Sequence, residues 1–398
     1  MFHAAPAPAQ DLDTLANSLG SRFVADPAHV GLSIGVIRDG WQRTFNYGSI
    51  DRHRSVRPTS TTIYELASLT KTYTGMLLAK GVVDGKLALD DDVRRYLPAS
   101  CVNLALDGDP IRIVDLANHT SGLPKNLPPF PGNANPKTLA TQYGEMSRER
   151  FLKAVARVRL TSRPGTKFGY SNAGAQLIGI VLERIYGESY AALVARLIAA
   201  PLGMTDTTTV VGKADLPRYA LRYDGKGNSM PELSFWRQIP AAGYLKSTIA
   251  DQLRYLQWNL DESDEVVALA HRMTFRGTDE RGDDIGLYWF LNRKHGQRLV
   301  RHAGGSFGTT SYAMLYPEAK VGIVLLANDA GASTETRLAE MAETLAQALM
   351  QSGGRAQSWP RVSAGRIRSL VAPCLEACGP RRACSQNFDL HQSCATVD

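Results

Sequence analysis

Strand-forming patterns lie near both ends of the chain, and a long helical and loop-rich stretch separates them. Residues 29–40 and 41–51 alternate apolar and polar side chains around an Asp-Gly pair, which predicts a β-hairpin. Further strand-like segments predict an antiparallel meander, and a capped helix pattern follows at 333–353. Strands need partners to bury their apolar faces, so we expect both chain ends to form one sheet. The meander segments are 284–294, 297–305, 309–320 and 321–329.

The middle of the chain shows helical spacing of apolar residues in 112–124 and 173–187, and a Pro/Gly-rich loop at 127–137. We therefore predict an α/β (α+β) fold: an antiparallel sheet with flanking helices, plus an inserted and mainly helical domain. A ligand site would lie in the cleft between them. The predicted parts are a flexible N-terminus (1–14), a sheet domain (15–75 and 240–353), a helical domain (76–239) and a Cys-rich tail (354–398).

Charge and hydropathy exclude two classes of partner. The net charge of the 398 residues is +7, and the Lys and Arg residues are scattered. A basic stripe for nucleic acid is therefore absent from the sequence. No apolar run reaches the roughly 20 residues of a bilayer span, so we expect no transmembrane segment. The sequence leaves the oligomeric state open.

Four of the five cysteines lie in the last 25 residues: Cys374, Cys378, Cys384 and Cys394. Their spacing does not match a zinc module, so we predict two disulfides and no metal; reduced thiols or a metal site are the alternatives. Cys101 is expected to be a buried thiol. The N-terminal stretch MFHAAPAPAQ lacks signal-peptide features. We expect a periplasmic or secreted chain whose signal is missing here, with a disordered cytosolic N-terminus as the alternative.

Ser68 and Lys71 form the one Ser-x-x-Lys pair in the sequence, at the start of a helix predicted over 68–83. Residues three apart on a helix share a face. A lysine desolvated in a cleft loses part of its affinity for the proton and can activate a serine hydroxyl. The alternative is a surface helix start with Ser68 as the N-cap and Lys71 solvated. The apolar flanks disfavour that alternative.

Two further motifs carry candidate site residues. Tyr170-x-Asn172 lies between a Pro-Gly turn and a predicted helix, where a phenol could relay a proton and an amide could hold a substrate carbonyl. The alternative is a capping Asn172 beside a packed Tyr170. His302-x-Gly304 lies at the end of a predicted strand, and Gly305 follows it. A Gly-rich strand end lets backbone N–H groups approach a ligand.

Together these motifs resemble the penicillin-recognising serine hydrolases, the superfamily of class C β-lactamases, DD-peptidases and family VIII esterases. The segments HTSGLP (119–124) and AAGYLKSTIADQLRY (241–255) are similar to family segments as well. The resemblance covers roughly residues 15 to 350. Within the superfamily the chain looks closest to AmpH-type DD-carboxypeptidase/endopeptidases.

The resemblance implies a role for each motif residue and no cofactor. Ser68 would be the acylated nucleophile, with Lys71 and Tyr170 sharing the general-base and proton-relay work. Asn172, His302 and Gly304 would bind substrate. Backbone N–H groups of Ser68 and Gly305 would form the oxyanion hole.

One departure from the class C pattern bears on the substrate. Those enzymes usually carry Lys-Thr-Gly where this chain has His302-Ala303-Gly304. The resemblance then implies a hydrolase for D-Ala-D-Ala-type peptides with slow β-lactam turnover. A carboxylesterase and a class C-type β-lactamase are the alternatives within the family. A catalytically inactive binding protein of the same fold is the alternative from another class.

Overall fold

The computed structural model describes residues 12–130, 138–139, 146–232, 234–277 and 282–351, and all of them belong to one compact unit. The four tail cysteines and most of the predicted N-terminal segment lie outside these residues. The first helix begins at Leu12, inside the segment predicted to be flexible. Cys101 is a buried free thiol, as predicted.

The strands β1 to β14 occur mainly at the two ends of the described chain, as the sequence predicts. They are β1 (Gly31–Arg38), β2 (Trp41–Gly48), β3 (Ile63–Glu65), β4 (Ala105–Leu106), β5 (Asp109–Pro110), β6 (Arg222–Asp224), β7 (Ser229–Met230), β8 (Lys246–Thr248), β9 (Asp284–Ile285), β10 (Phe290–Lys294), β11 (Gln297–Gly305), β12 (Thr310–Tyr316), β13 (Val321–Ala327) and β14 (Asp329–Ala330).

Seven of these strands form one antiparallel sheet in the order β2-β1-β13-β12-β11-β10-β9. The pairing of β1 with β13 places Leu32 opposite Ala327 and joins the two chain ends. The β1–β2 turn is the predicted Asp-Gly pair, with φ of 49° at Asp39 and 82° at Gly40. Positive φ at both turn residues matches the twist of a two-residue hairpin. The prediction of one sheet built from both ends is confirmed.

The helices pack on both faces of this sheet and fill the middle of the chain. The α-helices are α1 (Leu12–Ala25), α2 (Thr70–Val83), α3 (Ile113–Ala117), α4 (Arg148–Val155), α5 (Asn172–Tyr186), α6 (Tyr190–Val194), α7 (Ile249–Asn259), α8 (Glu265–Ala270) and α9 (Thr334–Gln351). Short 3-10 turns are found at Ala67–Leu69, Val93–Tyr96, Ala99–Cys101, Lys213–Arg218, Ser234–Trp236 and Pro240–Ala242, with a π turn at Ala195–Ala199.

Two apolar cores lie on opposite faces of the sheet. Helices α1 and α9 cover one face, where Leu32, Ile34 and Leu325 are buried. Helices α2 and α7 cover the other face, where Val324 and Leu326 are buried. Strands buried on both sides explain why β1 and β13 are apolar almost throughout. Helix α7 packs on β1 and β13, and α2 belongs to the same apolar core.

The middle of the chain is less helical than the sequence predicts. Only Ile113–Ala117 is α-helical within the predicted segment 112–124, whereas α5 fills 173–187 nearly completely. Short strands β4 to β7 also lie within residues 76–239. The division into a sheet domain and a helical domain remains a prediction. Within the described residues, no helix has the length and apolar character that crossing a membrane requires.

Candidate active site

Ser68 lies on a sharp turn between strand β3 and helix α2. The turn is the 3-10 segment Ala67–Leu69, and α2 begins at Thr70. Ala67 has a φ of 47°, a left-handed conformation that costs a non-glycine residue roughly 1–2 kcal/mol. Two hydrogen bonds at Leu66 hold the turn: its N–H donates to Leu245 at 2.8 Å, and its carbonyl accepts from Ser311 Oγ at 2.7 Å. Ser68 itself is partly exposed, while its neighbours are buried.

Lys71 is completely buried one turn along α2, so the alternative of a solvated lysine is wrong. Its Nζ lies 3.2 Å from Ser68 Oγ, 2.8 Å from Asn172 Oδ1 and 2.6 Å from the Ala242 carbonyl oxygen. Burial lowers the pKa of Lys71 well below its usual value, and the positive charge of Lys125 lowers it further. A buried amine beside a serine hydroxyl can accept the hydroxyl proton.

Tyr170 completes the group around Ser68. Its ring centre lies 4.8 Å from Lys71 Nζ. Burial raises the pKa of Tyr170 above its usual value, and the nearby Ser68 side chain opposes that rise. The phenol therefore stays protonated at neutral pH, which suits a group that passes a proton onward.

Asn172 bridges Lys71 to a loop that the sequence analysis did not assign to the site. Its Oδ1 accepts from Lys71, and its Nδ2 donates to Asn126 Oδ1 at 2.8 Å. Ser171 caps α5, because its hydroxyl accepts from the Gly174 N–H at 3.1 Å. The alternative of Asn172 as the capping residue is therefore wrong. Its amide is available to orient Lys71 and a ligand.

The third motif lies at the end of β11, directly beside the turn that carries Ser68. A Cβ on Gly304 would lie 2.4 Å from the Leu66 carbonyl oxygen and 2.9 Å from the Leu69 nitrogen. Only glycine allows this approach. A Cβ on the next residue, Gly305, would meet no atom within 4 Å. Gly305 thus borders open space next to Ser68, where an oxyanion hole is predicted.

His302 is buried on the same face of β11 as Gly304, and it is neutral. Its Nδ1 lies 2.6 Å from the Ala303 carbonyl, which can only accept, so Nδ1 carries the proton. Its Nε2 is buried and has no hydrogen-bond partner among the described residues. Burial, with the charge of Lys71, lowers the pKa of His302 to about 3. The predicted substrate-binding role therefore cannot rest on a cationic imidazole at neutral pH.

Several neighbours of the site were missed or left unassigned by the sequence analysis. His119 belongs to the quoted HTSGLP segment; its Nδ1 accepts from the Ser171 N–H at 3.1 Å, and its ring lies 4.4 Å from the Tyr170 ring. Lys125 and Asn126 follow that segment immediately. The HTSGLP segment was the sequence signal that could have identified these residues. Its contacts with Ser171 and Tyr170 are visible only in the folded chain.

The antiparallel sheet, the helix packed on it and the Ser68–Lys71 pair define a β-lactamase-like fold with a serine–lysine site. A model of the beta-lactamase family matches residues 17–348. The chain belongs to the beta-lactamase family, and this membership supports its assignment as a serine hydrolase. Among the described residues, no cluster of His, Cys, Asp and Glu side chains could hold a metal ion.

Related proteins and structures agree with this assignment. The chain is 29% identical over 309 residues to the D-alanyl-D-alanine-carboxypeptidase/endopeptidase AmpH of Escherichia coli K12, covering 73% of this chain and 77% of AmpH. It is 28% identical over 309 residues to protein flp of Staphylococcus aureus MRSA252, covering 75% of this chain. The match spans 59% of the length of protein flp.

Solved structures show the same fold. A beta-lactamase/D-alanine carboxypeptidase from Yersinia pestis, complexed with citrate, aligns with a TM-score of 0.72 at 23% identity, covering 87% of this chain and 99% of that one. The octameric penicillin-binding protein homologue from Pyrococcus abyssi aligns with a TM-score of 0.70 at 24% identity, covering 86% and 78%. The predicted fold class is confirmed.

Proposed function

We propose that this protein is a serine acyl-enzyme hydrolase that acts on peptides ending in D-Ala-D-Ala and turns over β-lactams slowly. The observation that carries the proposal is the 3.2 Å contact between Ser68 Oγ and the fully buried amine of Lys71. The similarity to AmpH supports the peptide substrate. A periplasmic or secreted location is part of the proposal, because such peptides belong to the cell wall.

In the acylation step, neutral Lys71 accepts the proton of Ser68 as Oγ attacks the substrate carbonyl. The pKa of Lys71 is lowered and that of Tyr170 is raised, so Lys71 is the better first base. The negative charge on the tetrahedral intermediate would be held by the backbone N–H groups of Ser68 and Gly305. Tyr170 then relays a proton to the leaving amine.

In the deacylation step, water attacks the ester formed on Ser68. The same Lys71–Tyr170 pair takes the water proton and returns a proton to Ser68 Oγ. Asn172 keeps Lys71 in place through both steps, since its amide bonds to Lys71 and to Asn126 at 2.8 Å each. Each proton taken from one oxygen is therefore delivered to a leaving group or back to the serine.

A carboxylesterase is the second candidate, and the neutral His302 favours it. An imidazole that is uncharged above about pH 3 gives no positive charge for a terminal carboxylate at this position. Small neutral esters need no such charge. A class C-type β-lactamase is less favoured because the third motif lacks lysine.

A side-by-side rate panel tests the proposal. It compares kcat/KM for a D-Ala-D-Ala peptide, a chromogenic cephalosporin and a p-nitrophenyl ester, each with the wild-type protein and Ser68→Ala. We expect the peptide to be the best substrate and all three rates to vanish in the variant. Turnover of the ester alone would favour the esterase. Binding of all three without turnover would indicate an inactive binding protein.

A further inference from the structure

Lys125 lies beside the site and has no assigned role. Its backbone carbonyl accepts hydrogen bonds from the N–H groups of Asn172 at 2.8 Å and Ala173 at 3.3 Å. These bonds tie the residue to the N-terminus of α5. The next residue, Asn126, bonds to the side chain of Asn172, which in turn contacts Lys71. Lys125 is therefore held two hydrogen bonds away from the catalytic amine.

The side chain of Lys125 is exposed. It forms no side-chain ion pair or hydrogen bond with any residue that the structure describes. Its positive charge lowers the pKa of Lys71. Three other basic side chains already have carboxylate partners. Lys246 pairs with Glu232, Arg301 with Asp283, and Arg222 lies 3.8 Å from Glu65.

Because the imidazole of His302 is neutral, a substrate carboxylate at this site would have to be bound by another cationic group. The imidazole of His302 is neutral, and its Nε2 is buried without a hydrogen-bond partner among the described residues, so this side chain offers a carboxylate no positive charge. A substrate that ends in D-Ala carries a carboxylate at neutral pH. Some other group must balance that charge if such peptides are bound well.

We propose that Lys125, and not the third-motif side chain, recognises the carboxylate of the substrate. This inference rests on the proposed function, because it supposes a substrate with an anionic terminus at Ser68. The lysine ammonium is a compact charge on a long, flexible side chain, so it can move to contact the carboxylate. The anchored backbone of Lys125 keeps that charge at the edge of the site.

Binding to a Ser68→Ala background tests this inference without turnover. The ligands are N-acetylated D-Ala-D-Ala with a free carboxylate and the same peptide as its C-terminal amide, measured by calorimetry at low salt. We expect the carboxylate form to bind about tenfold more tightly, the scale of one charge-assisted interaction. Lys125→Gln should abolish this preference. Lys167→Gln, at another exposed lysine near Tyr170, is the matched control and should keep it.

A second measurement separates a charge effect from a structural one. Removing the Lys125 charge raises the pKa of Lys71, so the acid limb of kcat/KM should move to higher pH in Lys125→Gln and stay in place in Lys167→Gln. Equal binding of the two peptides by the Ser68→Ala protein, binding of neither, or an unchanged preference in Lys125→Gln would overturn the role of Lys125. The proposed function would fail separately, if wild-type Ser68 were not acylated by a penicillin.

Discussion

Two buried bases at the site, Lys71 and His302, have lowered pKa values. Burial lowers the pKa of Lys71, and burial together with Lys71 lowers the pKa of His302. Both groups are bases, so a lowered pKa means that each is neutral over a wider pH range. A neutral amine next to Ser68 Oγ is the state that general-base chemistry requires.

The first prediction concerns this neutral state of Lys71. Activity should rise as pH increases through the lowered pKa of Lys71, so the acid limb of kcat/KM should lie well below pH 10.5. Lys71→Arg keeps a cation that does not lose its proton. We expect it to reduce acylation by about 10²–10⁴-fold, the usual contribution of a general base. Stopped-flow acylation measures this, with circular dichroism to show that the variant folds. Near-normal acylation by the arginine variant would exclude Lys71 as the base.

The second prediction concerns His302. Because its pKa is about 3, the imidazole is neutral throughout the neutral range and should add no pH limb near 6.5. His302→Ala should therefore lower kcat/KM for a D-Ala-D-Ala peptide and for a p-nitrophenyl ester by similar factors. His53→Ala, at an exposed histidine, is the control. A loss on the peptide that exceeds the loss on the ester by about tenfold would show that His302 recognises the carboxylate.

At the scale of elements, the site depends on how strand β11 meets the turn before α2. Glu65 ends β3 three residues before Ser68, and it is buried. Its Oε2 accepts from Ser306 Oγ at 3.2 Å, and Ser306 follows Gly305. The hydroxyl of Ser306 also accepts from the Gly308 and Thr309 N–H groups, at 3.3 and 3.1 Å. The Ser306–Glu65 bond therefore connects the end of β11 to the segment that leads into Ser68, and these two segments would supply the oxyanion hole.

The third prediction tests that connection. Ser306→Ala should lower kcat about tenfold and leave KM within about twofold. A misplaced N–H donor weakens the stabilisation of the transition state more than it weakens substrate binding. Glu65→Gln and the double variant complete a double-mutant cycle, in which we expect less than additive losses. A lower melting temperature with unchanged kcat in Ser306→Ala would show that the bond only stabilises the fold.

The elements best predicted from sequence are those with short-range signals. The β1–β2 hairpin follows from alternating residues around Asp39-Gly40, and α5 follows from its apolar spacing. The Ser68–Lys71 contact follows from helical geometry alone. In contrast, Lys125 and Asn126 reach the site through contacts with α5, and Glu65 meets Ser306 from a segment distant in sequence. Desolvation of His302 likewise arises only when the sheet and α2 pack together.

At the scale of the whole molecule, one sheet joins the two ends of the described chain, and its strand β11 carries the third motif beside the turn that holds Ser68. The family match ends at residue 348, and α9 ends at Gln351. All the residues proposed for the site precede the end of this helix. The predicted disulfides of the tail lie outside the described residues and stay a prediction.

The fourth prediction concerns this tail. Removal of residues 363–398 should leave kcat/KM within about twofold, because every proposed catalytic group lies in the preceding compact unit. In the full-length protein, thiol titration after unfolding without reductant should find one free thiol, that of Cys101. Five free thiols would contradict the disulfides, and a large loss of activity on truncation would give the tail a role at the site.

The central claim is that Ser68 is the nucleophile, and one measurement tests it most directly. The wild-type protein and Ser68→Ala are incubated with a labelled penicillin, and mass spectrometry of the intact protein and its peptides locates the label. We expect one acyl group per wild-type chain, on the peptide that contains Ser68, and none on the variant. Equal labelling of Ser68→Ala, or a label on another peptide, would contradict it.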